Sequence, residues 1–140
     1  MTSEDRTLFG DGRYPDTGPL AILARLAFGV SALAIPAGVY LPSFPLHFAR
    51  SHYIEHFAAF YVAALSGMAA LPRVRLRHVA AGYVAFAALV EASHLPGGAR
   101  VSDLVRNWTA DTGGLAAAFA PVVFERFRRR FLAPPPRECA

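Results

Sequence analysis

The sequence predicts an all-α, polytopic membrane protein, with four transmembrane helices in an antiparallel bundle and both termini cytoplasmic. Three observations carry that expectation. Hydrophobic residues make up 54% of the 140 and charged residues only 17%, more apolar surface than a soluble domain of this size can hide. The apolar residues gather into runs of helical length, interrupted by few charges. Arginines collect between the second and third runs and again after the fourth, where the positive-inside rule requires cytoplasmic segments.

Residues 1–18 read as a flexible N-terminal arm, because Gly10, Gly12 and Pro15 form helix poorly. This stretch is polar and of mixed charge, unlike a cleavable signal peptide, so the first apolar run is expected to act as the insertion signal. That first span covers about residues 20–42. Residues 26–46 carry no ionised side chain, and about 21 residues at a rise of ~1.5 Å cross a hydrocarbon core of roughly 30 Å. Pro36 and Gly38 predict a kink, and Pro42 and Pro45 end the span. The second span is placed at about 52–72 and the third, broken only by Glu91, at about 76–96. The fourth, with Arg106 and Asp111 near its start, is placed at about 103–125. Taken singly, the third and fourth runs also fit buried helices of a soluble bundle, which is the rival fold. Residues 132–140, with Pro134, Pro135 and Pro136, form a Pro-rich tail in which the lone Cys139 can make no internal disulfide.

The net charge of +4 and pI near 9.8 would suit nucleic acid, but the basic residues flank apolar runs instead of alternating with exposed aromatics. Arg73, Arg75, Arg77 and His78, with Arg126, Arg128, Arg129 and Arg130, mark the cytoplasmic face and point to membrane lipids as partners. The first and third connections then face outward. Ala59, Ala63 and Gly67 recur at intervals of four, as do Gly113 with Ala117 and Gly114 with Ala118. Such faces let helices approach closely, within one bundle or between molecules. Tyr40, Tyr53 and Trp108 lie near span ends, where aromatic rings anchor at headgroup level.

The polar residues concentrate at the outward ends. His52, Glu55 and His56 stand at i, i+3 and i+4 on one side of the second span. Glu91 lies about one turn inside the third span, with His94 three residues on. Asp103, Asn107 and Asp111 form a stripe descending roughly 12 Å along the fourth. Ionisable groups facing lipid cost on the order of 3 kcal/mol each at mid-depth, so these stripes should turn inward. The expected result is a polar pocket open to the outside, or an interhelical polar network, built from His56, Glu91, His94, Arg100, Asp103 and Asn107. Asp111, deeper, is expected to reach Arg106 or a backbone group. This reading assigns no metal and no cofactor. The alternative starts from His52-x-x-Glu55-His56, which matches the inverted zincin pattern. Two histidines one turn apart can hold zinc with Glu91 or Asp103 as third ligand, giving a site on His52, His56 and Glu91.

Over roughly residues 35–121 the chain resembles the VanZ-like family, named for an accessory protein of teicoplanin resistance. The family's histidine, phenylalanine, alanine and aromatic residue are matched by His56, Phe57, Ala59 and Phe60. Its glutamate, proline-glycine turn, arginine, aspartate and asparagine are matched by Glu91, Pro96-Gly97, Arg100, Asp103 and Asn107. His94 stands where the family has glutamine, Ser51 and His52 where an aspartate-lysine pair is frequent, and Ala110 where glycine is common. The resemblance implies four membrane spans and a cell-envelope role, and it supplies no catalytic assignment. The function expected is to bind or shield a lipid-linked or glycopeptide-type envelope molecule at the bacterial inner membrane, with possible catalytic residues unidentified. The alternative is an accessory or assembly subunit that packs into a larger membrane complex through small-residue helix faces.

Overall fold

A computed structural model describes residues 18–41 and 51–131. The expected N-terminal arm up to residue 17, the connection at 42–50 with Pro42 and Pro45, and the tail at 132–140 with Cys139 lie outside the described residues. The described chain is all-helical: α1 spans Pro19–Tyr40, α2 His52–Ala70, α3 Leu76–Ala92 and α4 Val101–Arg129.

Local chemistry accounts for most of the boundaries. Pro19 opens α1 at a position whose N–H needs no helical partner, and the helix continues through Pro36 to Tyr40. Leu71 leaves the helical region because Pro72 follows it, which ends α2. The third helix stops at Ala92, short of the expected residue 96, and Leu95–Gly97 forms a single 3-10 turn instead. Pro96 disfavours helical backbone just before it, and Gly98, at φ 82°, takes the left-handed conformation that glycine reaches without a Cβ clash. The fourth helix runs past the expected residue 125 to Arg129. Glu125 pairs with Arg128 at 2.9 Å and Arg129 at 2.7 Å, and arginines complement the negative end of the helix dipole.

Helix α2 packs against each of the other three, and α3 also packs on α4. The core is Phe60 and Ala64 from α2, Val79 and Ala87 from α3, and Leu115, Ala118 and Phe119 from α4. Close approach of α2 and α4 depends on Gly114, where an added Cβ would overlap the Phe57 carbonyl oxygen and crowd the Tyr61 nitrogen. Gly67 makes room for the Tyr83 ring, whose hydroxyl donates to the Ala63 carbonyl at 2.5 Å. Ser31 of α1 and Ser66 of α2 touch through their hydroxyls at 3.4 Å.

Helix α1 packs Ile35 against the core and keeps much of its remaining apolar surface outside. Leu26, Val30 and Leu33 are 62%, 65% and 73% exposed, and none of its residues is buried. Among the described residues, Pro19–Tyr40 and Leu76–Gly97 are long and apolar enough to cross a membrane. The other two helices carry too many polar side chains to match that apolarity: His52, Glu55 and His56 in α2, and Asp103, Arg106, Asn107, Asp111 and the terminal arginines in α4. The two ends of the bundle differ. Arg77 at the start of α3 and Arg126 and Arg130 at the end of α4 border one cleft with Leu76, Val123 and Phe127. The start of α2, the end of α3 and the first turns of α4 meet at the opposite end.

Candidate functional site: a buried carboxylate and histidine cluster

At that opposite end, α2, α3 and α4 each contribute to one polar cluster. His56 lies one turn into α2, beside Phe57, the residue whose backbone meets Gly114. Asp111 precedes Gly114 by three residues on α4, so the approach that Gly114 permits also carries Asp111 to His56. Their side chains meet, His56 Nδ1 standing 2.8 Å from Asp111 Oδ1. Facing a carboxylate oxygen, Nδ1 carries the proton and donates it. The same nitrogen lies 3.6 Å from Glu91 Oε1, at the end of α3. Glu91 is held from its other side, where Asn107 Nδ2 donates to Oε2 at 3.3 Å. At the far edge of the His56 ring, Nε2 meets His52 Nε2 at 3.0 Å, and His52 Nδ1 lies 3.6 Å from Glu55 Oε2.

The cluster is graded from surface to interior. Side-chain exposure falls from 65% at His52 to 13% at His56, 4% at Glu91 and 0% at Asp111. Two carboxylates therefore lie buried against one imidazole and one amide, so oxygen acceptors outnumber donors. Among the described residues, Glu91 Oε1 and Asp111 Oδ2 are buried without a hydrogen-bond partner, as is His94 Nδ1. Buried polar atoms are normally satisfied, and a carboxylate oxygen left without a donor is costly. Such a set suits a cation or a donor-bearing group and disfavours a phosphate.

The expected site residues separate into two groups. His56, Glu91 and Asn107 come together. His94 is half-buried beyond Glu91. Arg100 and Asp103 are exposed on the rim, and among the described residues neither joins a hydrogen bond or ion pair of the cluster. The polar stripe of α4 thus passes from exposed Asp103 through half-buried Asn107 to buried Asp111. Asp111 does not turn to Arg106, which is exposed; its partner is His56, 55 positions away. A spacing of four from Asn107 put Asp111 on the inward face, and nothing local in the sequence named the histidine across from it. The alternative set of His52, His56 and Glu91 does not converge on one point, because His52 and Glu91 approach different nitrogens of the His56 ring. The group that does converge is His56, Glu91 and Asp111, whose ligand atoms all lie within 4.8 Å of one another.

No match to this chain is found among family models, curated proteins or solved structures.

Proposed function

We propose that the chain is a VanZ-like integral membrane protein that crosses the bacterial inner membrane four times, termini inside, and receives a polar group of an envelope molecule at its outer end. The observation that carries this reading is the gradient from exposed His52, Arg100 and Asp103 to buried Glu91 and Asp111, ending in carboxylate oxygens with no donor. Such a floor favours amino or hydroxyl groups of a glycopeptide or sugar headgroup over the phosphate of a lipid carrier. Four spans are supported by the exposed apolar face of α1 and by the inward burial of Glu91 and Asp111, which lipid would otherwise oppose. The arginines at the far end, Arg77, Arg126 and Arg130, fit a cytoplasmic face.

The test is purification in native lipid particles, with mass spectrometry of everything bound in stoichiometric amount. A headgroup-bearing molecule present with wild type and lost with Glu91→Gln is expected. Its equal retention by both proteins would remove the cluster from ligand binding.

A second reading, an accessory subunit of a larger membrane complex, draws on one feature. Gly114 and Ala118 are consumed inside the bundle, but Ala116, Ala117 and Ala120 of α4 form an exposed small-residue face of the kind helices use to pack in membranes. A stoichiometric protein that copurifies with wild type and is lost with Ala117→Leu would support it.

A further inference from the structure

We infer that His56, Glu91 and Asp111 form a binding site for one divalent first-row transition metal ion, with His52 and Asn107 as outer partners of its ligands. The inference stands on the geometry of the cluster and holds whether or not an envelope molecule binds there. Metal bonds to histidine nitrogen and carboxylate oxygen are about 2.0–2.2 Å long, which places adjacent ligand atoms of a tetrahedron or octahedron roughly 3.0–3.5 Å apart. His56 Nδ1 lies 2.8 Å from Asp111 Oδ1 and 3.6 Å from Glu91 Oε1, so separations bracketing a coordination edge already exist without an ion.

The remaining atoms of each ligand are arranged as a metal site needs. A metal-bound histidine donates its second N–H to an outer partner that fixes the ring. Here Nδ1 faces the carboxylates and Nε2 is 3.0 Å from His52 Nε2, which can accept that proton. Ligating carboxylates are likewise steadied from behind, and Asn107 holds Glu91 by Oε2 while Oε1 stays without a partner. Glu91 and Asp111 are both buried, and among the described residues no arginine enters the cluster. A divalent cation, taking the place of the Nδ1 proton, would neutralise both carboxylates and fill the coordination that Glu91 Oε1 and Asp111 Oδ2 lack. One nitrogen and two oxygens suit manganese, iron or zinc; the imidazole argues against magnesium and calcium, which prefer oxygen alone.

The test uses the full chain in lipid nanodiscs, stripped with a chelator and titrated separately with Zn²⁺ and Mn²⁺, the bound ion being counted by elemental mass spectrometry. Wild type and Glu125→Gln should each bind one equivalent. Glu91→Gln and Asp111→Asn should bind at least tenfold more weakly, and His52→Ala about 10- to 100-fold more weakly. If the carboxylate variants do not fold, pulsed electron paramagnetic resonance of Mn²⁺-loaded wild type decides, and coupling to one imidazole nitrogen is expected. Binding by wild type no stronger than by the folded carboxylate variants, or Mn²⁺ without nitrogen coupling, overturns the site.

Discussion

Among the described residues, His56 is the only basic group in contact with the two buried carboxylates, and the energetics of the cluster turn on it. Removing one member of a buried ionic group leaves the others uncompensated and costs about 3–5 kcal/mol. His56→Ala is therefore expected to lower stability by about 3 kcal/mol, read as a marked fall in thermal unfolding temperature in nanodiscs. Asp103→Asn, at an exposed position, should change stability by no more than about 0.5 kcal/mol. Equal effects of the two would mean that burial does not distinguish the residues of the polar stripe. The sequence made the composition of this cluster legible only in part. Helical spacing put His56, Asn107 and Asp111 on inward faces, and the dearth of charge around Glu91 marked it as unusual. Pairing across helices is set by their packing distance and rotation, which no local pattern encodes, and so Asp111 lacked its histidine and Arg100 and Asp103 were grouped with residues they do not touch.

Between elements, the contact of α2 with α4 is the one most exposed to a single atom. A methyl at Gly114 meets backbone of Phe57 and Tyr61, which cannot rotate away, so Gly114→Ala must separate the helices. Overpacking of this kind costs about 1–3 kcal/mol. Because Asp111 lies one turn away, the same variant should lengthen the contact between His56 and Asp111 and weaken whatever the cluster binds. Gly29→Ala, where the added carbon meets nothing within 4 Å, should leave unfolding temperature and binding close to wild type. Helix existence was legible from apolar runs, and the starts of α1, α2 and α3 fall within a residue of expectation. Helix ends were less so: Pro96 with Gly98 closes α3 early, and the ion pairs of Glu125 carry α4 onward through its arginines. The small-residue spacing announced close packing, but only the assembled helices separate Gly114, which meets α2, and buried Ala118 from Ala116 and Ala117, which stay exposed.

At the scale of the whole molecule, two unlike ends define the proposed orientation: arginines around the start of α3 and the end of α4, and the carboxylate and histidine cluster where α3 ends and α4 begins. Apolar side chains along α1 that remain more than 60% exposed have a natural neighbour in lipid, since a soluble protein rarely leaves so continuous a patch uncovered. The all-helical class was legible from run length, while among the described residues only α1 and Leu76–Gly97 meet the length and apolarity of a span by themselves. The proposal that α2 and α4 also cross the membrane rests on their polar groups turning to one another. The most direct test is thiol accessibility in spheroplasts, in a Cys139→Ser background that removes the sole native cysteine. A membrane-impermeant maleimide should label Leu95→Cys, beside the cluster, in sealed spheroplasts, and label Val74→Cys, beside the arginines, only after permeabilisation. Labelling of Val74→Cys in sealed spheroplasts with Leu95→Cys protected, or recovery of both proteins in the soluble fraction, would contradict an outward-facing site in a four-span protein.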